Sequence, residues 1–143
     1  MLKIKKLRDT AQLPHNATGG SAGYDLCAAL DAPVEIAPGQ TVMIGTGFAM
    51  QIEPGYAGMV FARSGLGIRK GIIPANCVGV IDSDYRGEVM VGLYNRSDKT
   101  FTVQPGDRVA QLVLMPVYTP PVQECDELDD TARGAGGFGS TGR

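Results

Sequence analysis

Along much of this chain apolar and polar residues trade places with the period of two that a half-buried strand requires. Leu2-Ile4-Lys6 alternates, as does Val34-Ile36, and Thr41 to Ile52 and Ala57 to Ala62 are rich in β-forming residues. Glu88 to Tyr94, Thr100 to Val103 and Val109 to Tyr118 continue the pattern. Between these runs stand three Pro-Gly dipeptides, Pro38-Gly39, Pro54-Gly55 and Pro105-Gly106. Proline presets the first central position of a tight turn and glycine takes the positive φ of the second. One short helix is expected after Ser64, over Gly65-Leu-Gly-Ile-Arg-Lys70, and its glycines weaken it. Val78, Val80 and Ile81 lead into Asp82-Ser-Asp84-Tyr85-Arg-Gly87, and Val89 to Leu93 lead out, which reads as a hairpin with an acidic tip. Many short strands with regular turn signals mean an all-β sandwich, jelly roll or barrel.

The pattern stops after Tyr118. Thr119-Pro-Pro121 ends the sheet, and Glu124 to Asp130 carries five acidic residues, too polar to form core. The last residues, Arg133 to Arg143, are glycine-rich and should be disordered unless something ties them down. The organisation expected is a catalytic β-domain over 1–118 and an arm over 119–143.

At 143 residues one domain can bury a real core. A net charge of -2 leaves no footprint for nucleic acid or an anionic membrane, so any phosphate must be held by a few placed groups. Three scattered cysteines (Cys27, Cys77, Cys125) and a lone His15 argue against a disulfide framework, a zinc site or a histidine triad, and for a reducing compartment. Basic Met1 to Leu7 is followed by no apolar stretch of signal-peptide type, and no run approaches a membrane span, so a soluble cytoplasmic protein is expected.

Five stretches carry candidate chemistry. Asp82 follows an apolar triplet, which could desolvate it and suit it to act as a base, or it could be a turn-forming residue of a surface loop. Arg63-Ser64-Gly65 could hold an anion on free backbone N–H groups, or Ser64 could simply cap the helix. Asp25, in Ala22-Gly23-Tyr24-Asp25-Leu26, could face a cation or fix a loop. Gln111, in Gly106-Asp107-Arg108-Val-Ala-Gln111, lies among apolar residues and needs a backbone or ligand partner for its amide. The tail spells Gly134-x-Gly136-x-x-Gly139, but no strand precedes it and no helix follows, so a dinucleotide fold is rejected. An arm folding over a ligand fits better: glycine N–H groups and Arg133 for phosphate, hydroxyls from Ser140 and Thr141, and Phe138 to stack on a base.

In order and spacing these five stretches resemble the five motifs of the homotrimeric dUTP diphosphatases (dUTPases), over the chain from about Leu2 to its end. The resemblance implies a jelly-roll-type β-barrel, assembled as a homotrimer with sites at subunit interfaces. The implied reaction is hydrolysis of dUTP to dUMP and pyrophosphate by water attack at the α-phosphorus, which keeps uracil out of DNA and supplies dUMP for thymidylate synthesis. Asp82 would activate the water, and Tyr85 would lie against the deoxyribose and exclude a 2′-hydroxyl. Asn76 and the backbone of Val80, Ile81 and Met90 would read uracil. Arg63, Ser64, Gly65 and Gln111 would hold phosphates. Arg133, Phe138, Gly139, Ser140 and Thr141 would arrive on a neighbour's arm. Mg²⁺ would bridge the phosphates, touched by Asp25 through water at most. Two other classes compete: a dCTP deaminase, alone or bifunctional, and a non-catalytic trimeric β-barrel that binds nucleotide or protein.

Overall fold

The structure, a computed structural model, describes residues 1–137. Ten strands and one helical turn follow one another as β1 (Lys3–Lys6), β2 (Tyr24–Cys27), β3 (Val34–Ile36), β4 (Thr41–Gln51), β5 (Tyr56–Phe61), α1 (Ser64–Gly67), β6 (Ile72–Pro74), β7 (Gly79–Ile81), β8 (Glu88–Asn95), β9 (Phe101–Val103) and β10 (Arg108–Pro116). One sheet has the order β1-β4-β8-β6, a second β2-β10-β5-β7, and β3 with β9 forms a separate ribbon. All pairings are antiparallel. This is the jelly-roll-type, all-β architecture that the alternation and the resemblance imply.

The two sheets and the ribbon share one core. Ile44 and Phe48 of β4 and Val89, Val91 and Leu93 of β8 pack with Leu26, Val60, Ala110 and Leu112 of the second sheet, and the ribbon adds Ile36 and Val103. Along β8 the buried residues alternate with half-buried or exposed ones, as period two demands. In contrast β4 is buried continuously from Ile44 to Met50, because a bulge interrupts its register with β8 between Gly45 and Ala49. Buried Thr46 in that bulge donates to the Val89 carbonyl at 2.7 Å. Buried Asn95 ties the ribbon to β8: its amide donates to the carbonyls of Ile36 and Lys99, each at 2.8 Å, while its Oδ1 accepts from Ser97. Among the described residues no buried side-chain nitrogen or oxygen lacks a partner.

The three Pro-Gly turns form as expected. Gly39, Gly55 and Gly106 have φ of 77°, 85° and 81°. Each turn closes with an N–H to the carbonyl three residues back: Gln40 to Ala37, Tyr56 to Glu53, Asp107 to Gln104. Three expectations change. The expected hairpin around Asp82 does not exist: β7 pairs with β5, β8 pairs with β4 and β6, and residues 82–87 cross from one sheet to the other. Alternation identifies a strand but not its partner, and sequence neighbours pair only as a tendency. Ser64 is not a helix cap; that position falls to Arg63, with no side-chain cap bond. Asp25 lies inside strand β2 and not in a loop.

Candidate active site

A cleft of about 490 Å³ opens where the two sheets part. Its cause is topological. β7 is the last strand of its sheet and has one unpaired edge. β6 stops at Pro74, opposite Leu93, so β8 is unpaired on that side from Met90 to Val91. Free backbone donors and acceptors of two strands therefore flank a gap, a setting suited to the polar edge of a flat heterocycle. Asn76, Val80, Ile81, Asp82, Tyr85 and Met90, drawn from fifteen positions of chain, all line it. Val80 (61% exposed), Met90 (47%) and Tyr85 (46%) leave apolar surface open there, which marks a binding surface rather than core.

Local bonds fix the walls. Cys77 has φ 64°, the one left-handed non-glycine residue among those described. The Val78 N–H reaches the Asn76 carbonyl at 2.7 Å across it, a γ-turn, and the Cys77 N–H reaches the Pro74 carbonyl at 3.0 Å. This strained turn presents Asn76 to the cleft. On the opposite wall the Tyr85 N–H closes a turn on the Asp82 carbonyl at 3.2 Å, and Arg86 clamps the loop by donating to the carbonyls of Ser83 and Tyr85, each at 2.8 Å. The Tyr85 hydroxyl donates to the Glu88 carbonyl at 3.1 Å. Asp82 itself is exposed, so the expected desolvation is not supplied by its own chain. Of the apolar residues before it, Val80 and Ile81 belong to an edge strand, not to a covering layer.

Three other expected residues assemble elsewhere. β10 lies between β2 and β5, and Gln111 faces Asp25 on one side and Phe61 on the other. Buried Asp25 accepts from Arg63 Nε at 2.8 Å and from Arg108 Nη1 at 3.2 Å. Gln111 donates to the Ala62 carbonyl at 2.9 Å, so its partner is backbone. Two guanidiniums around one carboxylate leave a surplus positive charge, and Arg63 is held in a set orientation beside Ser64 and Gly65, which are exposed. Nearby Cys27 is buried; burial first, then the Asp25 charge, pushes its thiol pKa up, which makes it inert as a nucleophile.

No group of three or more His, Cys, Asp or Glu side chains among the described residues could cage a metal. Both Asp25 oxygens already serve guanidiniums, so the carboxylate read as a water-mediated metal contact is first a counter-ion.

Arg133 donates from Nε to the Gly136 carbonyl at 2.7 Å within the arm. Phe138, Gly139, Ser140 and Thr141 lie outside the described residues. Two participants escaped sequence reading: Arg108 as the second partner of Asp25, and Glu88 with the β4 bulge beneath Tyr85. Gly45-Thr-Gly47 inside a strand pattern was the available signal for the bulge.

Known proteins resemble this chain over nearly its whole length. The dUTPase family model matches residues 9–142. The chain is 50% identical over 143 residues to a deoxyuridine 5'-triphosphate nucleotidohydrolase of Paraburkholderia phymatum, covering 99% of this chain and 97% of that one. It is 53% identical over 132 residues to the same-named protein of Aeromonas salmonicida, covering 92% and 87%. Among solved structures it is similar to the dUTPase of Staphylococcus bacteriophage 80alpha with dUPNHPP, with a TM-score of 0.91 and 27% identity over 100% of this chain and 99% of that one.

Proposed function

This chain belongs to the dUTPase family, and from that premise we propose that it hydrolyses dUTP to dUMP and pyrophosphate by water attack at the α-phosphorus. The observation that carries the reading is the convergence of Asn76, Val80, Ile81, Asp82, Tyr85 and Met90 on one cleft between two free strand edges. Uracil enters that gap edge-on, where Asn76 and strand backbone satisfy its donors and acceptors. Backbone at such close range leaves no space for a 5-methyl group, and cytosine meets mismatched partners. Tyr85 lies against the sugar and takes up the space of a 2′-hydroxyl. Asp82 orients a water molecule and accepts its proton as the oxygen bonds to phosphorus; the bond to the bridging oxygen breaks and pyrophosphate leaves.

In this reading the phosphate clamp comes from another copy of the chain. Ile81 is level with Gly58 near one end of β5, whereas Arg63 follows Phe61 at the other end. At about 3.3 Å per residue the base and the clamp of one chain are on the order of 15–20 Å apart along the strand. That separation favours a complete site that pairs the cleft of one subunit with Arg63, Ser64, Gly65 and Gln111 of a neighbour. Threefold closure places one such site at each interface of a homotrimer. The exposure of Asp82 fits this arrangement, because substrate and neighbour supply the missing cover. Arg133, Phe138, Gly139, Ser140 and Thr141 of an arm then close over the nucleotide, adding cations and N–H donors for the developing oxyanions. Mg²⁺ carried on the triphosphate would neutralise its oxygens and hold its geometry, with Asp25 reaching its water shell at most. The product dUMP feeds thymidylate synthesis, and removal of dUTP keeps uracil out of DNA.

The test is pyrophosphate release from dUTP, UTP, dTTP and dCTP in parallel, with Mg²⁺ and with chelator. Release from dUTP alone, lost with chelator, is expected. Ammonia from dCTP would move the chain to the deaminases, and binding of dUTP without release would leave a binding module.

A further inference from the structure

Glu88 opens β8 and lines the cleft, yet its carboxylate turns away from the nucleotide side into the β4 bulge. There Oε1 accepts the Gly47 N–H at 2.8 Å and Oε2 accepts from Arg8 Nη2 at 3.4 Å. The seat is built for it. A Cβ on Gly45 would stand 2.5 Å from Oε1, and Gly47 has φ 72° with Ala29, Arg8 and Ala11 packed where its own Cβ would be. The bulge is anchored in turn: the Leu7 N–H bonds the Gly47 carbonyl at 2.7 Å, and the Ala29 N–H bonds the Gly45 carbonyl at 2.9 Å. One residue on, Thr46 holds the Val89 carbonyl. The backbone of Glu88 is thus pinned from both sides, and its carbonyl is the group that receives the Tyr85 hydroxyl. Gly87 completes the mount, since a Cβ there would collide with the Tyr85 phenol ring.

We infer that Glu88 is a positioning residue for Tyr85: through the β4 bulge its carboxylate sets where the phenol ring stands, and so how strictly the enzyme rejects ribonucleotides. The inference rests on the reading of Tyr85 as the ring against the sugar. A carboxylate in this seat does what a purely apolar residue cannot. It accepts the Gly47 N–H, which the left-handed bulge leaves without its ladder partner. Loss of that bond frees the start of β8, and with it the acceptor of the phenol hydroxyl. The cost falls on discrimination rather than on the chemical step, because Asp82 sits at the other end of the loop, where it leaves β7.

The experiment measures kcat/KM for dUTP and for UTP in Glu88→Ala, Glu88→Gln, Tyr85→Phe, Tyr85→Ala and the Glu88→Ala/Tyr85→Phe double variant, with a thermal melt of each. Ring-labelled tyrosine spectra of the nucleotide-free proteins report on Tyr85 directly. Glu88→Ala should lower the dUTP-to-UTP preference about tenfold, the scale of one lost ordering hydrogen bond. Glu88→Gln keeps the Oε1 acceptor and should keep the preference. In the double variant the two losses should not add, since both act on one ring. The Tyr85 ring signal should shift or broaden in Glu88→Ala and not in Glu88→Gln. If Glu88→Ala does not fold, Glu88→Asp, which draws the carboxylate one methylene back from Gly47, should show the same loss. An unchanged preference and ring signal in Glu88→Ala, with Tyr85→Ala admitting UTP, would overturn the inference and leave the reading of Tyr85 intact. An unchanged preference in Tyr85→Ala would overturn both.

Discussion

Replacing Gly47 by alanine separates two costs that usually come mixed, because the fold holds a control for one of them. Gly47 and Gly55 share a left-handed backbone, with φ of 72° and 85°. An L-residue there costs about 1–2 kcal/mol, and alanine recovers about 0.4–1 kcal/mol by restricting the unfolded chain. Their surroundings differ. Nothing lies within 4 Å of a Cβ on Gly55, whereas one on Gly47 would sit 2.8 Å from Ala29 Cβ, 2.8 Å from Arg8 Cγ and 2.9 Å from Ala11 Cβ. Arg8 can swing aside. Ala29 and Ala11 cannot, being buried methyls fixed to backbone. Overpacking of that kind adds roughly 1–3 kcal/mol. The expected totals are about 0.5–1 kcal/mol for Gly55→Ala and about 2–4 kcal/mol for Gly47→Ala. With an unfolding entropy of about 2.1 cal/mol/K per residue, this chain loses roughly 2–3 °C in the first case and roughly 7–13 °C in the second. The assay is a thermal melt of both variants at one protein concentration, since the stability of an oligomer varies with concentration. Melting of Gly47→Ala within about 2 °C of Gly55→Ala would refute the packing argument.

Other expectations follow from the same contacts. Asp82→Asn should lose turnover by about 10²–10⁴-fold while still binding dUTP, measured by pyrophosphate release and by titration of a non-hydrolysable analogue; near-normal turnover would remove Asp82 as the base. A chain ending at Asp130 should melt as the full chain does, since among the described residues Arg133 bonds only within the arm, and yet be nearly inactive; full activity would make the arm dispensable. Asp25→Ala should weaken phosphate binding, seen as a raised KM for dUTP, because Arg63 loses its 2.8 Å tether. The stability loss should be nearer 1 than 4 kcal/mol, the half-exposed Arg108 being screened by solvent, and urea melts measure it. A thiol reagent near pH 8 should modify exposed Cys77 and Cys125 and spare buried Cys27 until the protein unfolds. The raised Cys27 pKa also means that stability is lost as pH climbs from the unfolded thiol's pKa toward the folded one, which a series of alkaline melts of Cys27→Ala against the parent would show.

What could be read from residues alone was what residues decide locally. Each Pro-Gly turn is set by two residues and formed where expected. The long strands β4, β8 and β10 carry their β-forming residues within themselves. β6 escaped because three residues ending in Pro74 hold no period, and β2 because Tyr24 to Cys27 is covered on both faces and does not alternate. Pairing is a property of two segments, and there the local reading failed: Val78 to Leu93 looked like a hairpin and instead joins two sheets.

The crossing of the chain between sheets has a functional consequence. A true hairpin would have zipped β7 to β8 and used up the two strand edges that flank the cleft. Because the 82–87 loop crosses between sheets, those edges stay open to each other, and the residues on them converge on a common gap. The Asp82 motif was legible since its chemistry is contiguous in the chain, whereas the union of Asp25, Arg63 and Gln111 depends on β10 lying between β2 and β5. Desolvation of Asp82 is less local still. It was expected from the three apolar residues before it, but Val78 and Val80 are exposed and Ile81 packs on the core, so none of them buries the carboxylate. On the proposed reading, Asp82 is exposed in its own subunit and becomes buried when nucleotide, neighbour and arm come together, so activity requires the assembled, occupied site.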